Sequence, residues 1–230
     1  YRSDSRRQPI WTRAALSVQG TIQSTEEGDI LVFMPGAYEI RKTVEACSRL
    51  KLQERVKVVP LHGALPAPQQ DAAMAPDSCR KVIVATNIAE ASLTVPGVRH
   101  VIDSGLVRMS RYDPARGTDM LVTESICRDA AEQRAGRAGR EADGTCTRLW
   151  SNAEQSGRPA TTDPEIHRCD LAEALLQLKA AGWADIRRFP WLDAPEETAI
   201  ETAWQLLAEL GAILPADGRL TSIGETMSML

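Results

Sequence analysis

Residues 28–36, GDILVFMPG, hold an apolar run from Ile30 to Met34 that is closed by Pro35 and Gly36. A half-exposed strand would alternate polar and apolar side chains; an uninterrupted run between breakers predicts a strand buried on both faces. Outward from it, Ala37–Leu52 has helical spacing and Val56–Leu61 is a second apolar run. A short helix is predicted over Pro68–Ala75, a third strand over KVIVAT at 81–86, and a fourth over Val98–Ile102. Short buried strands alternating with helix-length segments predict βαβ units, hence an α/β fold with a parallel sheet and helices on both faces.

The pattern changes at LVRMSRYDPARGTDMLV, residues 106–122, where two extended runs flank Asp113, Pro114 and Gly117. This predicts a β-hairpin over about 106–124 projecting from the α/β body. A helix carrying QRAGRAGR, 133–140, follows, and TCTRLW at 145–150 returns to strand. After Asn152 the alternation ends. EQSGRPATTDP is a breaker-rich connection, Glu165–Ala181 and Pro195–Leu210 are helical, and AILPADGRLT predicts a hairpin turning at Asp217 and Gly218. The expected organisation is a linker over 1–28 with a helix within Thr12–Glu26, an α/β domain over 29–152, and a mostly helical winged-helix module over 153–230.

With 43% hydrophobic and 25% charged residues the chain has the balance of a globular protein, which argues against disorder over most of its length. Cys47, Cys79, Cys127, Cys146 and Cys169 form no CxxC pair, and His62, His100 and His167 are widely spaced, so neither a zinc site nor a disulfide framework is expected. The thiols are expected to be reduced and mostly buried. No run of about 18 apolar residues exists, and the polar start excludes a secretory signal in the sequence as given, so no membrane is expected and a cytoplasmic location follows by default. The absence of an initiating methionine makes the chain read as a piece of something longer.

Against a formal net charge of -4, QRAGRAGR concentrates three arginines at intervals of three. On a helix with Gln133 at zero, Arg137 falls near about 40°, Arg140 near about 340° and Arg134 near about 100°. An amide and two guanidinium groups then share an arc of about 60°, while Arg134 points elsewhere and is expected in a structural salt bridge. Gly136 and Gly139 each cost about 1 kcal/mol of helix propensity, sensible where a ligand or another backbone comes close. Permanently charged planar forks beside an amide suit polyphosphate oxygens. The alternatives are pairing with carboxylates such as Glu132 and Glu141, or an unspecific nucleic-acid patch.

QRAGRAGR resembles motif VI of superfamily 2 helicases, and its leading Gln133 resembles the DEAH-box branch. KVIVATNIAEASLTVPGVRHVIDSG, 81–105, resembles motif V of that branch, with Ala91 where threonine is usual. LVFMPGAYEI at 31–40 resembles motif IV with its hook-turn, and PLHGALP at 60–66 the block after it. The resemblance covers roughly residues 28–230.

The resemblance implies the second RecA-like lobe of an ATP-dependent RNA helicase, followed by the start of a winged helix. Arg137 and Arg140 would be arginine fingers acting on the γ-phosphate, and Gln133 would order the phosphate or the attacking water. Asp103 would reach the ribose or the finger region, unless it is a plain turn carboxylate; Gly136 and Gly139 would lie against the nucleotide, and Met74 near its adenine. Thr86 and Asn87, with Ser92 and Thr94, would hold RNA by phosphate and sugar, a role compatible with helix capping by Asn87. Gly36 and Tyr38 of the hook-turn, His62 with Gly63, and the hairpin residues Arg108, Arg111 and Arg116 are further RNA-contact candidates. No GxxxxGKS/T and no DEAH tetrapeptide occur in the chain, so ATP with Mg²⁺ would be bound mainly by a first lobe outside it. The expected partners are that lobe and single-stranded or duplex RNA. Two alternatives remain: a non-catalytic nucleic-acid-binding module, and a DNA helicase of the same superfamily.

Overall fold

A computed structural model describes residues 8–50, 56–90, 95–113, 116–140 and 142–229. The chain packs as two compact units, Tyr1–Met109 with Thr123–Thr162, and Ser110–Val122 with Asp163–Leu230.

The first unit is built on a five-stranded sheet. Strands β1 (Asp29–Phe33), β2 (Lys57–Leu61), β3 (Lys81–Ala85), β4 (Val98–Asp103) and β7 (Thr145–Arg148) lie in the order β2-β3-β1-β4-β7. All four pairings are parallel, with Ile30 opposite Val82 and Val32 opposite Ile102. The apolar run from Ile30 to Met34 thus forms the central strand and its exit, and its alternate residues serve two cores. Ile30, Val32 and Met34 join one face with Ala14, Ala15, Val18 and Ile22 of α1 (Ile10–Ser24) and Ile40 and Cys47 of α2 (Ala37–Ser48). Leu31 and Phe33 join the other with Ala73 of α3 (Ala67–Met74), Ala89 and Ala138. Both faces being covered, neither shows a polar alternation.

The stretch expected to be a linker therefore carries a helix whose buried face belongs to the main core. Two extended strands, β5 (Leu106–Asp113) and β6 (Thr118–Ser125), form a separate two-stranded sheet. They are followed by α4 (Arg128–Ala135), whose N-cap is unusual: the Cys127 thiol sulfur accepts from the Ala130 backbone N–H at 3.3 Å. The connection after β7 is more ordered than its breakers suggest, since Ser151 and Glu154 form a reciprocal capping box on α5 (Asn152–Ser156).

In the second unit, α6 (Ala172–Ala180) and α7 (Glu197–Glu209) pack around Leu175, Leu176, Ile200, Ala203 and Leu207. The helix expected over Glu165–Ala181 is broken. Only a 3₁₀ turn forms at Glu165–His167 before α6 begins. The expected hairpin is reduced to one bridge, Ile213 with Leu220, closed by Gly218 at φ 65°. A Cβ there would come within 2.0 Å of the Trp204 ring, so glycine is obligatory. A final helix, α8 (Ser222–Met227), is capped by Thr221, a signal the sequence reading passed over. Among the described residues all five cysteines are free, Cys47 and Cys127 buried and the others half-buried. No helix of the described residues is long and apolar enough to cross a membrane.

Candidate functional site

Parallel α/β sheets place ligands at the carboxyl ends of their strands, where the loops leave the sheet. The segments after β1 (Gly36, Tyr38), β2 (His62, Gly63), β3 (Thr86, Asn87) and β4 (Asp103) all leave from that end. The arginine segment joins them through Arg134. This side chain is 1% exposed; its Nε donates to Glu90 Oε2 at 2.9 Å and its Nη1 to Asp103 Oδ1 at 2.9 Å. Its guanidinium also lies over the Phe33 ring, 4.8 Å from the centroid. One buried cation thereby pins α4 to the ends of β1 and β4 and to the turn after β3. The salt bridge expected of Arg134 is this double one.

The helical projection of Gln133, Arg137 and Arg140 requires correction. Helix α4 stops at Ala135, with Gly136 as its C-cap, and 136–140 run on as turn and bend. The cause is local: two glycines within four residues remove more helix propensity than one short helix recovers. Gln133 and Arg140 are exposed, but Arg137 is only 8% exposed, its Nη2 donating to the Glu90 carbonyl. Arg137's pKa is lowered, first by burial and then by the neighbouring positive charge of Arg140, with Glu90 acting in the opposite sense. Arg137 and Arg140 are therefore carried by a turn and not by a shared helical arc.

Among the described residues, neither glycine of the motif is forced by contacts within the chain. A Cβ at Gly136 would make ordinary contact with the Glu132 carbonyl at 3.4 Å, and one at Gly139 would meet nothing within 4 Å. Gly144, which the sequence reading left aside, is the constrained one: a Cβ there would lie 2.3 Å from the Ala138 carbonyl oxygen.

Asp103, expected at a ribose or in the finger region, is fully buried, which leaves no surface for a ribose. Its Oδ1 accepts from Arg134 and from the Gly105 backbone N–H at 2.8 Å, while Oδ2 is buried without a hydrogen-bond partner. Met74, expected near an adenine, ends α3 half-buried against the second core. Asn87 is exposed and begins a 3₁₀ turn, Asn87–Ala89, whose N-cap is Thr86; no side-chain cap hydrogen bond forms, so the capping reading of Asn87 fails. Ser92 and Thr94 lie outside the described residues.

Gly36 and Arg108 are brought together. A Cβ on Gly36 would lie 2.9 Å from the Arg108 guanidinium, which also pairs with Glu39 at 3.6 Å. Tyr38 is 46% exposed, edge-on to Trp11 with centroids 5.9 Å apart, and Arg41 and Lys42 sit over its ring. His62 is half-buried and Gly63 exposed with open space beside it. Arg111 belongs to the second unit, 3.9 Å from Asp163, and Arg116 pairs with Asp113 at 3.5 Å. The residue that sequence reasoning missed is Glu90, which meets two arginines of the motif. Its one visible signal was an acid three residues after Asn87, in a segment otherwise short and uncharged.

The profile of the helicase conserved C-terminal domain matches residues 13–142, and that of the helicase-associated HA2 winged-helix domain matches residues 203–230. The chain is 41% identical over 213 residues to the ATP-dependent RNA helicase HrpA of Escherichia coli, covering 91% of this chain and 16% of that protein. It is 42% identical over 212 residues to a probable ATP-dependent RNA helicase, a DHX35 homolog of Caenorhabditis elegans, covering 89% of this chain and 29% of that protein. Among solved structures, the Escherichia coli DEAH/RHA helicase HrpB superposes with a TM-score of 0.89 at 35% identity, over 97% of this chain and 28% of that one. The chain thus spans less than a third of the length of these relatives. With its sheet RecA-like and its arginine segment at the carboxyl edge, the chain belongs to the helicase conserved C-terminal domain family and is the C-terminal lobe of a DEAH-box, superfamily 2 helicase.

Proposed function

We propose that this lobe serves an ATP-dependent RNA helicase by delivering Arg140 and Arg137, with Gln133, to the γ-phosphate of a nucleotide held by a first lobe. The observation that carries the reading is the anchoring of the arginine segment at the carboxyl edge, where the buried Arg134 ties α4 to the sheet and the turn that follows carries Arg137 and the exposed Arg140. Burial first, and then the positive charge of Arg140, lower the pKa of Arg137, and the loop that carries both is anchored by the buried Arg134. Like charges held together repel, and an arriving polyphosphate turns that cost into attraction. Charge on the transferring phosphoryl oxygens is stabilised by such fixed donors, and an arginine finger contributes about 10³- to 10⁵-fold in turnover. Gln133, exposed on the last turn of α4, would orient the attacking water.

The nucleotide's Mg²⁺ and the cradle for its other phosphates would come from the first lobe. The exposed Gln133 amide and Arg140 guanidinium supply the donors that an outer phosphate accepts from. RNA would be held without base reading by Thr86, Asn87, Gly36, Arg108 and the exposed Tyr38, all of which leave the same end of the sheet or lie in the adjoining hairpin. A protein that uses phosphate and sugar alone distinguishes RNA from DNA through the 2′-hydroxyl. The names of the relatives favour RNA.

The test is ATP hydrolysis by this chain by itself, with and without single-stranded RNA. It should hydrolyse ATP no faster than buffer while binding RNA in a salt-dependent way. RNA-stimulated turnover by the isolated chain would contradict the division of labour between lobes.

A further inference from the structure

We infer that Glu90 is a positioning residue that ties the RNA-holding turn to the arginine loop, so that strand binding sets where Arg137 sits. The inference rests on the finger reading of Arg137 given above. Three contacts meet in this one residue. Its backbone N–H donates to the Asn87 carbonyl at 2.9 Å and closes the 3₁₀ turn that presents Asn87. Its carboxylate accepts from Arg134 Nε at 2.9 Å. Its own carbonyl accepts from Arg137 Nη2.

Side chain and main chain of Glu90 thus grip different arginines and do different work. Arg134 cannot move, since Asp103 and the Phe33 ring fix it against the sheet; the Glu90 carboxylate is thereby a fixed peg. The Glu90 carbonyl belongs to the turn that carries Asn87, so a strand that orders this turn orders the acceptor of Arg137 with it. Removing the peg leaves Arg134 still paired with Asp103, so the buried cation stays compensated and the lobe stays folded. What is lost is the aim of the carbonyl, and with it that of Arg137.

The experiment uses the complete protein and compares Glu90→Gln, Glu90→Asp and Arg137→Ala by ATP turnover at saturating RNA, each held at a temperature where circular dichroism shows it fully folded. Misplacement of a catalytic group by about 1 Å costs about 100-fold, so Glu90→Gln should lower kcat by about 10- to 100-fold with the KM for ATP little changed. Glu90→Asp, which keeps the charge one methylene further back, should recover part of that loss. Arg137→Ala should lower turnover by about 10³-fold or more, and adding Glu90→Gln to it should cost nothing more. Parent-like kcat in Glu90→Gln, with Arg137→Ala inactive, overturns the positioning role and leaves the finger reading intact. Parent-like kcat in Arg137→Ala overturns the finger reading, and the positioning role falls with it. A lowered melting temperature with normal kcat per folded molecule means that Glu90 is structural, which also overturns the proposal.

Discussion

The two ends of the parallel sheet differ in how many polar side chains they leave exposed. At the amino end the buried polar groups among the described residues are closed off by the chain itself. Lys81 is 1% exposed, and its ammonium donates to the Ala75 carbonyl at 2.7 Å and the Ala73 carbonyl at 3.2 Å, with Asp29 3.6 Å away. Arg80 reaches the carbonyls of Gly28 and Thr25, at 2.6 and 2.9 Å. His100, buried, lies 2.9 Å from both Thr145 Oγ1 and the Glu27 carbonyl, so its Nε2 carries the proton that the carbonyl accepts. At the carboxyl end, by contrast, Gln133, Arg140 and Asn87 are exposed, and even the fully buried Asp103 keeps one carboxylate oxygen without a hydrogen bond. The described polar groups at the amino end are thus tied into the fold, whereas at the carboxyl end the tied-down Arg134 and Asp103 sit beside the exposed Gln133, Arg140 and Asn87. Substitutions at the two ends should therefore fail in different assays.

The largest effect is expected at the carboxyl end. Arg137→Ala should lower RNA-stimulated ATP turnover of the complete protein by about 10³-fold or more. Because Arg137 is also largely covered and donates to Glu90, it should lose about 1 kcal/mol of stability as well, read from urea unfolding. At the amino end, Lys81→Ala leaves two carbonyls and Asp29 without their cation; it should cost about 3 kcal/mol in the same unfolding assay, with turnover per folded molecule unchanged. A loss of kcat there would erase the contrast between the ends. Asn87→Ala should weaken RNA binding about fivefold, roughly 1 kcal/mol, in a fluorescence titration. Its melting temperature should not move, since the side chain is exposed and Thr86, not Asn87, is the N-cap of the turn.

The smallest effect is electrostatic and lies again at the amino end. Hydrogen bonds from Lys57 and from the Cys79 backbone N–H hold Asp77 at a pKa of about 2. A carboxyl lowered in the folded state stabilises it above the ordinary aspartate pKa of about 3.9. That contribution disappears as pH falls from about 4 to about 2. Asp77→Asn should flatten the pH dependence of the urea midpoint over this window alone, and an unchanged slope would show that the exposed pair contributes nothing.

Much of this was legible in the sequence because buried parallel strands have one signature: an uninterrupted apolar run bounded by breakers. Ile30–Met34, Val56–Leu61, 81–86 and Val98–Ile102 each correspond to a strand within two residues of the expected ends. The motif resemblance reached the DEAH-box family from QRAGRAGR and TNIAEASLT. What could not be read was tertiary. Helix α4 looked long enough to project three side chains from one arc, but Gly136 and Gly139 end it early, a competition that packing decides. Glu90 joins Arg134 across 44 residues of chain, and Lys81 meets carbonyls of α3 and the residue after it; neither contact leaves a periodic trace. The hairpin turning at Asp217 and Gly218 is minimal, one bridge and no ladder, within the stretch that the winged-helix profile matches.

The most direct measurement of the carboxyl-end assignment is the turnover of Arg140→Ala, because Arg140 is exposed and its removal should change stability by no more than about 0.5 kcal/mol. With RNA saturating, the complete protein carrying this change should bind RNA and melt like the parent while ATP hydrolysis falls by about 10³- to 10⁵-fold. Hydrolysis at the parent rate, with RNA affinity reduced instead, would mean that the arginine loop grips the strand and not the nucleotide.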